Sequence, residues 1–295
     1  MEKEALRNQF TLHLIVFILG FTAVLGKLII LPAPQLVWYR TLFACGTIFL
    51  MILFAKGKWD LHWKVILRLA GIGVIVAAHW ITFFHAIKVS NIAVTLGCLS
   101  TTTLFTSFIE PLSQRRRISW LEVVTGLVII GGILMIYSFE TRYTLGILFS
   151  LLAALLASTF SVLNKNISLR YDIRQIAFWE MLSGFVAVSL YLLIAERPEV
   201  QDFSLKLSDA LYLVLLATVC TAFAFTQTIQ VMKKLSAYAV VLAINLEPVY
   251  GIIMGFLIFG DSERMTLGFY GGAAVILLAV FLFPVMRRKL ASAKQ

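Results

Sequence analysis

Apolar runs of about twenty residues recur along almost the whole chain, parted by connections of a few residues, and this pattern limits the fold more than anything else in the sequence. Hydropathy places ten of them, at about 10–30, 35–55, 64–87, 91–112, 118–138, 144–164, 174–195, 209–230, 236–259 and 265–286. They lack the alternation of barrel strands, and a backbone in lipid must satisfy its own polar groups, so each run is expected to be a helix. With 60% hydrophobic and 14% charged residues, a chain of 295 residues has too little polar surface to cover a soluble globule. The expected class is all-α: a polytopic membrane protein of ten transmembrane helices, with no room for an extramembrane domain. The first run, after M-E-K-E-A-L-R-N-Q, is long for a signal peptide and is taken as the first span.

The formal charge of +10 would suit a nucleic-acid binder, but the basic residues sit singly or in threes between apolar runs, without interleaved aromatics. Topology explains them better, and no nucleic-acid partner is expected. If the spans alternate, 18 of the 25 Lys and Arg fall on the side that carries both termini. The positive-inside bias then makes that side cytoplasmic, and the plasma (inner) membrane is the expected location. Cys45, Cys98 and Cys220 lie within apolar runs, away from any CxxC or metal spacing, and are read as small buried hydrophobes; neither metal nor cofactor is expected.

An internal repeat is visible. Q-L-V-W-Y-R-T-L from Gln35 resembles Q-I-A-F-W-E-M-L from Gln175, S-N-I-A-V from Ser90 matches S-A-Y-A-V from Ser236, and R-I-S-W from Arg117 matches R-M-T-L from Arg264. The halves, residues 1–140 and 141–295, thus hold five spans each. Five is odd, so the second copy enters the membrane inverted. Equivalent connections accordingly carry opposite charge, R-R-R at 115–117 and D-S-E at 261–263. Inverted repeats place a substrate site near the midplane, between the halves and beside broken helices.

The stretch A-I-N-L-E-P-V-Y-G-I-I-M-G, from Ala243 to Gly255, suits such a site. Glu247 falls near mid-membrane, where an ionised side chain costs about 3 kcal/mol or more unless it faces a partner or water. Pro248 removes a backbone donor beside it. The bland alternative is a kinked packing helix whose carboxyl is protonated or paired.

From Leu246 to Leu278 the sequence L-E-P-V-Y-G-I-I-M-G-F-L-I-F-G-D-S-E-R-M-T-L-G-F-Y-G-G-A-A-V-I-L-L resembles the C-terminal half-signature of the EamA family in the drug/metabolite transporter superfamily. Residues 90–136 resemble the same pattern more weakly. The resemblance implies a ten-helix permease with a central cavity, lined mainly by the third, fourth, eighth and ninth helices, that exports or exchanges small metabolites such as amino acids. The first half departs from the pattern: Thr101 and Arg116 stand where the family often has Pro and Glu, which implies an asymmetric site.

Candidate substrate-binding residues are His79, Trp80 and Phe83 in the third span, Thr101 and Thr102 in the fourth, and Asn245, Glu247 and Tyr250 in the ninth. His79 could meet an anionic group or carry a proton, although a histidine in a bundle is often only an interhelical donor. The hydroxyls of Ser100 to Thr103 can bond substrate or the preceding turn, and packing is the commoner use. Candidate gate residues are Lys27, Arg40, Asn164, Lys165, Trp179 and Glu180; for the charged ones, about a turn inside span ends, snorkelling to water is the plainer reading. Glu110 is expected to pair with Arg115–Arg117. The G-x-x-x-G pairs Gly251/Gly255 and Gly268/Gly272 suit close helix approach, within a monomer or a homodimer.

The favoured function is a secondary transporter of small metabolites working by alternating access in the lipid bilayer. No P-loop motif appears, so ATP drive by this chain is not expected. Proton coupling through Glu247 or His79 fits the pattern, but facilitated diffusion or exchange needs neither. A sugar-phosphate or nucleotide-sugar exchanger would want more cations at the midplane. A membrane enzyme acting on lipid-linked substrates would want clustered carboxylates or H-E-x-x-H, and the sequence has neither, so no enzyme activity is expected.

Overall fold

The computed structural model describes residues 2–56, 59–113, 115, 117–168, 170–196, 203–227 and 246–292, and these are helical, with no strand among them. In chain order the helices are α1 (Glu2–Leu28), α2 (Ala33–Phe54), α3 (Trp63–Val89), α4 (Ile92–Leu99), α5 (Thr102–Ser113), α6 (Trp120–Phe139), α7 (Thr144–Ser168), α8 (Ile173–Tyr191), α9 (Leu207–Ala217), α10 (Glu247–Phe259) and α11 (Leu267–Ser292). Seven helical stretches are long and apolar enough to cross a membrane, and residues 13–28 and 267–283 form shorter apolar helices. This is a multi-pass membrane protein. Of the ninth expected span only the part from Leu246 onward lies within the described residues.

Local chemistry sets where helices begin. Asn91 accepts a hydrogen bond from the backbone N–H of Val94 and caps α4, and Ser119 and Glu122 cap α6 reciprocally. Pro34 and Pro248 sit in the first turns of α2 and α10, where a missing N–H costs nothing. Gly260 ends α10 at φ +58°, a conformation that favours glycine.

Two expected spans are interrupted within their length. The fourth breaks between α4 and α5 at Ser100 and Thr101. The eighth winds into a π turn at Thr218–Phe223 directly after α9. In the first of these, Thr101 lies at the position that aligns with Pro248, and hydroxyls take proline's place: Ser100, Thr101 and Thr102 donate to the carbonyls of Leu96, Cys98 and Leu99. The sequence-level asymmetry at Thr101 therefore changes how the helix is broken, not whether it is.

Helix ends meet in two separate layers. At one end Lys27 binds Glu263, Lys88 donates to the carbonyl of Ile29, and Thr266 donates to Glu140. At the other, Lys165 pairs with Glu110 and Gln175 donates to Asp60. The Asp261–Glu263 turn lies in the first layer and the connection after α5 leaves from the second, so the two lie at opposite ends of the bundle.

Packing cuts across the sequence halves. Helix α3 packs on α7 and α8, α2 on α8 and α9, α10 on α1 and α4, and α6 on α11. Because lipid is as apolar as leucine, these contacts depend on close fit rather than on escape from water. Glycines supply it. Gly251 faces Gly20 and Leu96, Gly255 faces Ile92, Gly268 faces Phe139 and Gly272 faces Gly132 and Ile136, so both G-x-x-x-G pairs are used inside the monomer. Leu127, Leu134, Leu278 and Leu282 instead point outward, as a lipid-facing surface requires.

Candidate functional site

The most heavily constrained polar group in the interior is Arg40, about two turns into α2 and only 3% exposed. Its guanidinium lies on the ring of Trp80, 3.8 Å from the centroid, with Phe84 at 5.4 Å. Its Nε donates to Oγ1 of Thr221 at 2.9 Å, while that hydroxyl donates to the carbonyl of Leu216. The second bond reaches back five residues and exists because the chain is wound as a π turn there. Nη1 is buried and has no hydrogen-bond partner among the described residues. The snorkelling expected for Arg40 does not occur, because Trp80 and Thr221 hold the head group inside.

Glu247 and Cys220 lie within electrostatic range of Arg40, although no ion pair joins Arg40 to Glu247 among the described residues. Glu247 opens α10, which the close approach of Gly20 and Gly251 presses against α1. Tyr250, one turn on, lies 3.4 Å from Nδ1 of His13 and packs edge-on against Phe17. Thr22 and Cys220 face each other between α1 and the π turn. Five elements thus converge on one buried patch: α1, α2, α3, the π turn and α10.

Of the remaining substrate-site candidates, His79 lies within electrostatic range of Arg40. Nδ1 of His79 is 2.8 Å from the carbonyl of Ala153 on α7, and its ring packs on Phe83 and Phe160. That is the interhelical bond named as the plainer role for His79. Thr101 is fully buried with its hydroxyl spent on Cys98, and that of Thr102 is spent on Leu99. Asn245 lies outside the described residues.

The gate candidates divide. Lys27 binds Glu263 at 2.7 Å, and the same carboxylate accepts from the backbone N–H groups of Ile92 and Ala93 at the start of α4. Lys165 is paired with Glu110. Glu180 is fully buried with Asn164 as its polar neighbour, and neither of its carboxylate oxygens makes a hydrogen bond of good geometry among the described residues. It too fails to snorkel, since α8 presses its backbone against Gly73 of α3. Trp179 is half-buried and packs on Phe178.

Thr221 and Glu263 were not singled out by sequence. A threonine in an apolar helix normally bonds its own preceding turn, and Glu263 was visible only as part of an acidic connection. Among the described residues no group of three or more His, Cys, Asp or Glu is arranged to hold a metal. The patch can instead offer one fixed cation, one carboxyl, aromatic faces and hydroxyls to a small polar molecule.

A family model described as the EamA-like transporter family matches the sequence twice, over residues 9–138 and 144–284. No curated protein matches significantly. Among solved structures, one described only as the crystal structure of a protein superposes with a TM-score of 0.65 at 18% identity, over 98% of this chain and 99% of its own, which shows a shared fold.

Proposed function

Because the chain belongs to the EamA-like transporter family, we propose that it is a secondary transporter carrying small metabolites such as amino acids by alternating access. The reading takes residues 1–140 and 141–295 as two inverted five-helix repeats, ten spans in all. The Lys165 end and both termini then lie on the cytoplasmic side of the plasma membrane, in keeping with the bias of Lys and Arg.

The observation that carries the proposal is the convergence of interrupted helices on a buried polar patch. The π turn brings Thr221 to Arg40, and α10 starts at Glu247 within electrostatic range of Arg40. Non-helical backbone at membrane depth is tolerated where it faces protein or a solvated path, and transporters use such breaks to bind solutes. The bound layer at Lys27 and Glu263 closes one end and the Lys165–Glu110 pair ties the other, so exchanging the two gives each side access in turn. A sugar-phosphate exchanger is less well supported, because Arg40 is the one fixed cation among the described residues converging on the patch.

Vesicles reconstituted with the purified chain test this. They should exchange internal for external amino acids where protein-free vesicles do not, and Glu247→Gln should slow that exchange at unchanged protein content. If no solute of the panel crosses, the transporter reading falls; if Glu247→Gln exchanges at the normal rate at every pH, Glu247 leaves the mechanism.

A further inference from the structure

The basic side chains bordering the membrane interior mostly have partners. Lys27 is bound to Glu263 and Ser262, Lys88 to the carbonyl of Ile29, and Lys165 to Glu110. Arg40 differs. One face of its guanidinium lies on Trp80 and its Nε is spent on Thr221, yet Nη1 has no partner, and no carboxylate lies within ion-pair distance among the described residues. Leaving a buried donor unsatisfied costs roughly 1–3 kcal/mol, and more when the group is charged. A purely structural Arg40 would carry that cost for no return, since an apolar side chain would fill the same space between α2 and α3.

With the face and Nε occupied, the guanidinium has only its outer Nη edge to offer. Two parallel N–H groups on that edge match the two oxygens of one carboxylate. We propose that Arg40 is the specificity-determining residue of this transport site, its Nη edge taking the single carboxylate of the carried molecule, with Thr221 as the positioning residue that sets the angle of the guanidinium. The assignment rests on the transporter reading and names the anionic end of its substrate. Glu247, at the start of α10 and within electrostatic range of Arg40, suits a carried molecule whose other end is an amine. A phosphate dianion fits less well, because Nδ1 of His79 is engaged with Ala153 and no second fixed cation converges there among the described residues.

The test is the thermal stability of the purified full chain against the common amino acids, each as free acid and as methyl ester, with glucose 6-phosphate alongside. A ligand of the folded state raises the midpoint. At least one free acid should stabilise where its ester does not. Arg40→Gln should weaken that binding about 10- to 100-fold with unliganded melting retained, and Arg40→Lys should restore part of it. Thr221→Val should weaken binding while keeping the preference for acid over ester, and in vesicles it should raise KM more than it lowers kcat. If Arg40→Gln does not fold, the Thr221→Val result decides.

The assignment is overturned if esters stabilise as well as acids, if no free acid stabilises, if glucose 6-phosphate is the better ligand, or if Arg40→Gln keeps the preference. Vesicles that carry only solutes without a carboxylate would also remove it while leaving the transporter reading in place. Vesicles that carry nothing would instead remove the transporter reading.

Discussion

Lys27 and Glu263 form an ion pair, Nζ to Oε1 at 2.7 Å, that ties the end of α1 to the turn after α10. The carboxylate is 1% exposed and also accepts from the N–H groups of Ile92 and Ala93, so it neutralises the positive end of α4 as well. Glu263→Ala strands a lysine and two helix N-terminal donors together. It should cost about 2–4 kcal/mol. At the opposite end Lys165 is 53% exposed, and Lys165→Met should cost under about 1 kcal/mol. Melting of the two variants in one detergent gives the comparison; equal losses would refute the ranking.

Gly71 and Gly73 lie two residues apart on α3 and should answer oppositely to the same substitution. A Cβ at Gly73 would collide with the backbone carbonyl of Glu180 and with Ser183, while one at Gly71 meets nothing within 4 Å. Gly73→Ala must push α3 and α8 apart and should cost about 1–3 kcal/mol. Gly71→Ala should be neutral or up to about 1 kcal/mol stabilising, through helix propensity. Equal melting midpoints would show that the α3–α8 contact is looser than described.

The two acidic and basic connections provide a test of threading. In a background with Cys45, Cys98 and Cys220 replaced by alanine, a membrane-impermeant maleimide should label Asp261→Cys in intact cells. Ile118→Cys, which follows the Arg115–Arg117 run, should label only after permeabilisation. Labelling of both from one side would rule out inverted repeats.

Thr101→Val removes the hydroxyl that donates to Cys98 at the break between α4 and α5. The loss should be about 1 kcal/mol of stability, with normal amounts of protein in the membrane. Because broken helices line the solute path in the proposed transporter, solute exchange should fall further than stability does. If exchange is unchanged, Thr101 serves only to pack.

Much of this architecture was legible because lipid imposes so few solutions. A twenty-residue apolar run in a bilayer has one way to satisfy its backbone, and hence the helices, their alternation and the repeat follow from period and charge alone. The Glu-Pro pair at 247–248 likewise announces a broken helix wherever it is placed. What the linear pattern leaves open is the partner of each buried charge. Arg40, Lys27, Lys165 and Glu180 look alike as single charges near span ends, but contacts separate them: Lys27 meets Glu263 and Lys165 meets Glu110, while Arg40 is trapped under Trp80 and Glu180 is sealed against α3.

The sequence by itself determined that the chain is a helical membrane protein with two related halves and a carboxylate within an apolar run. The tertiary structure decided that those halves interleave instead of standing apart, and that a π turn carries Thr221 to the guanidinium of Arg40. The physical reason is range. Hydropathy and charge act on each residue where it stands, whereas hydrogen bonds, ring faces and glycine contacts join residues more than a hundred positions apart and exist only once the helices have packed.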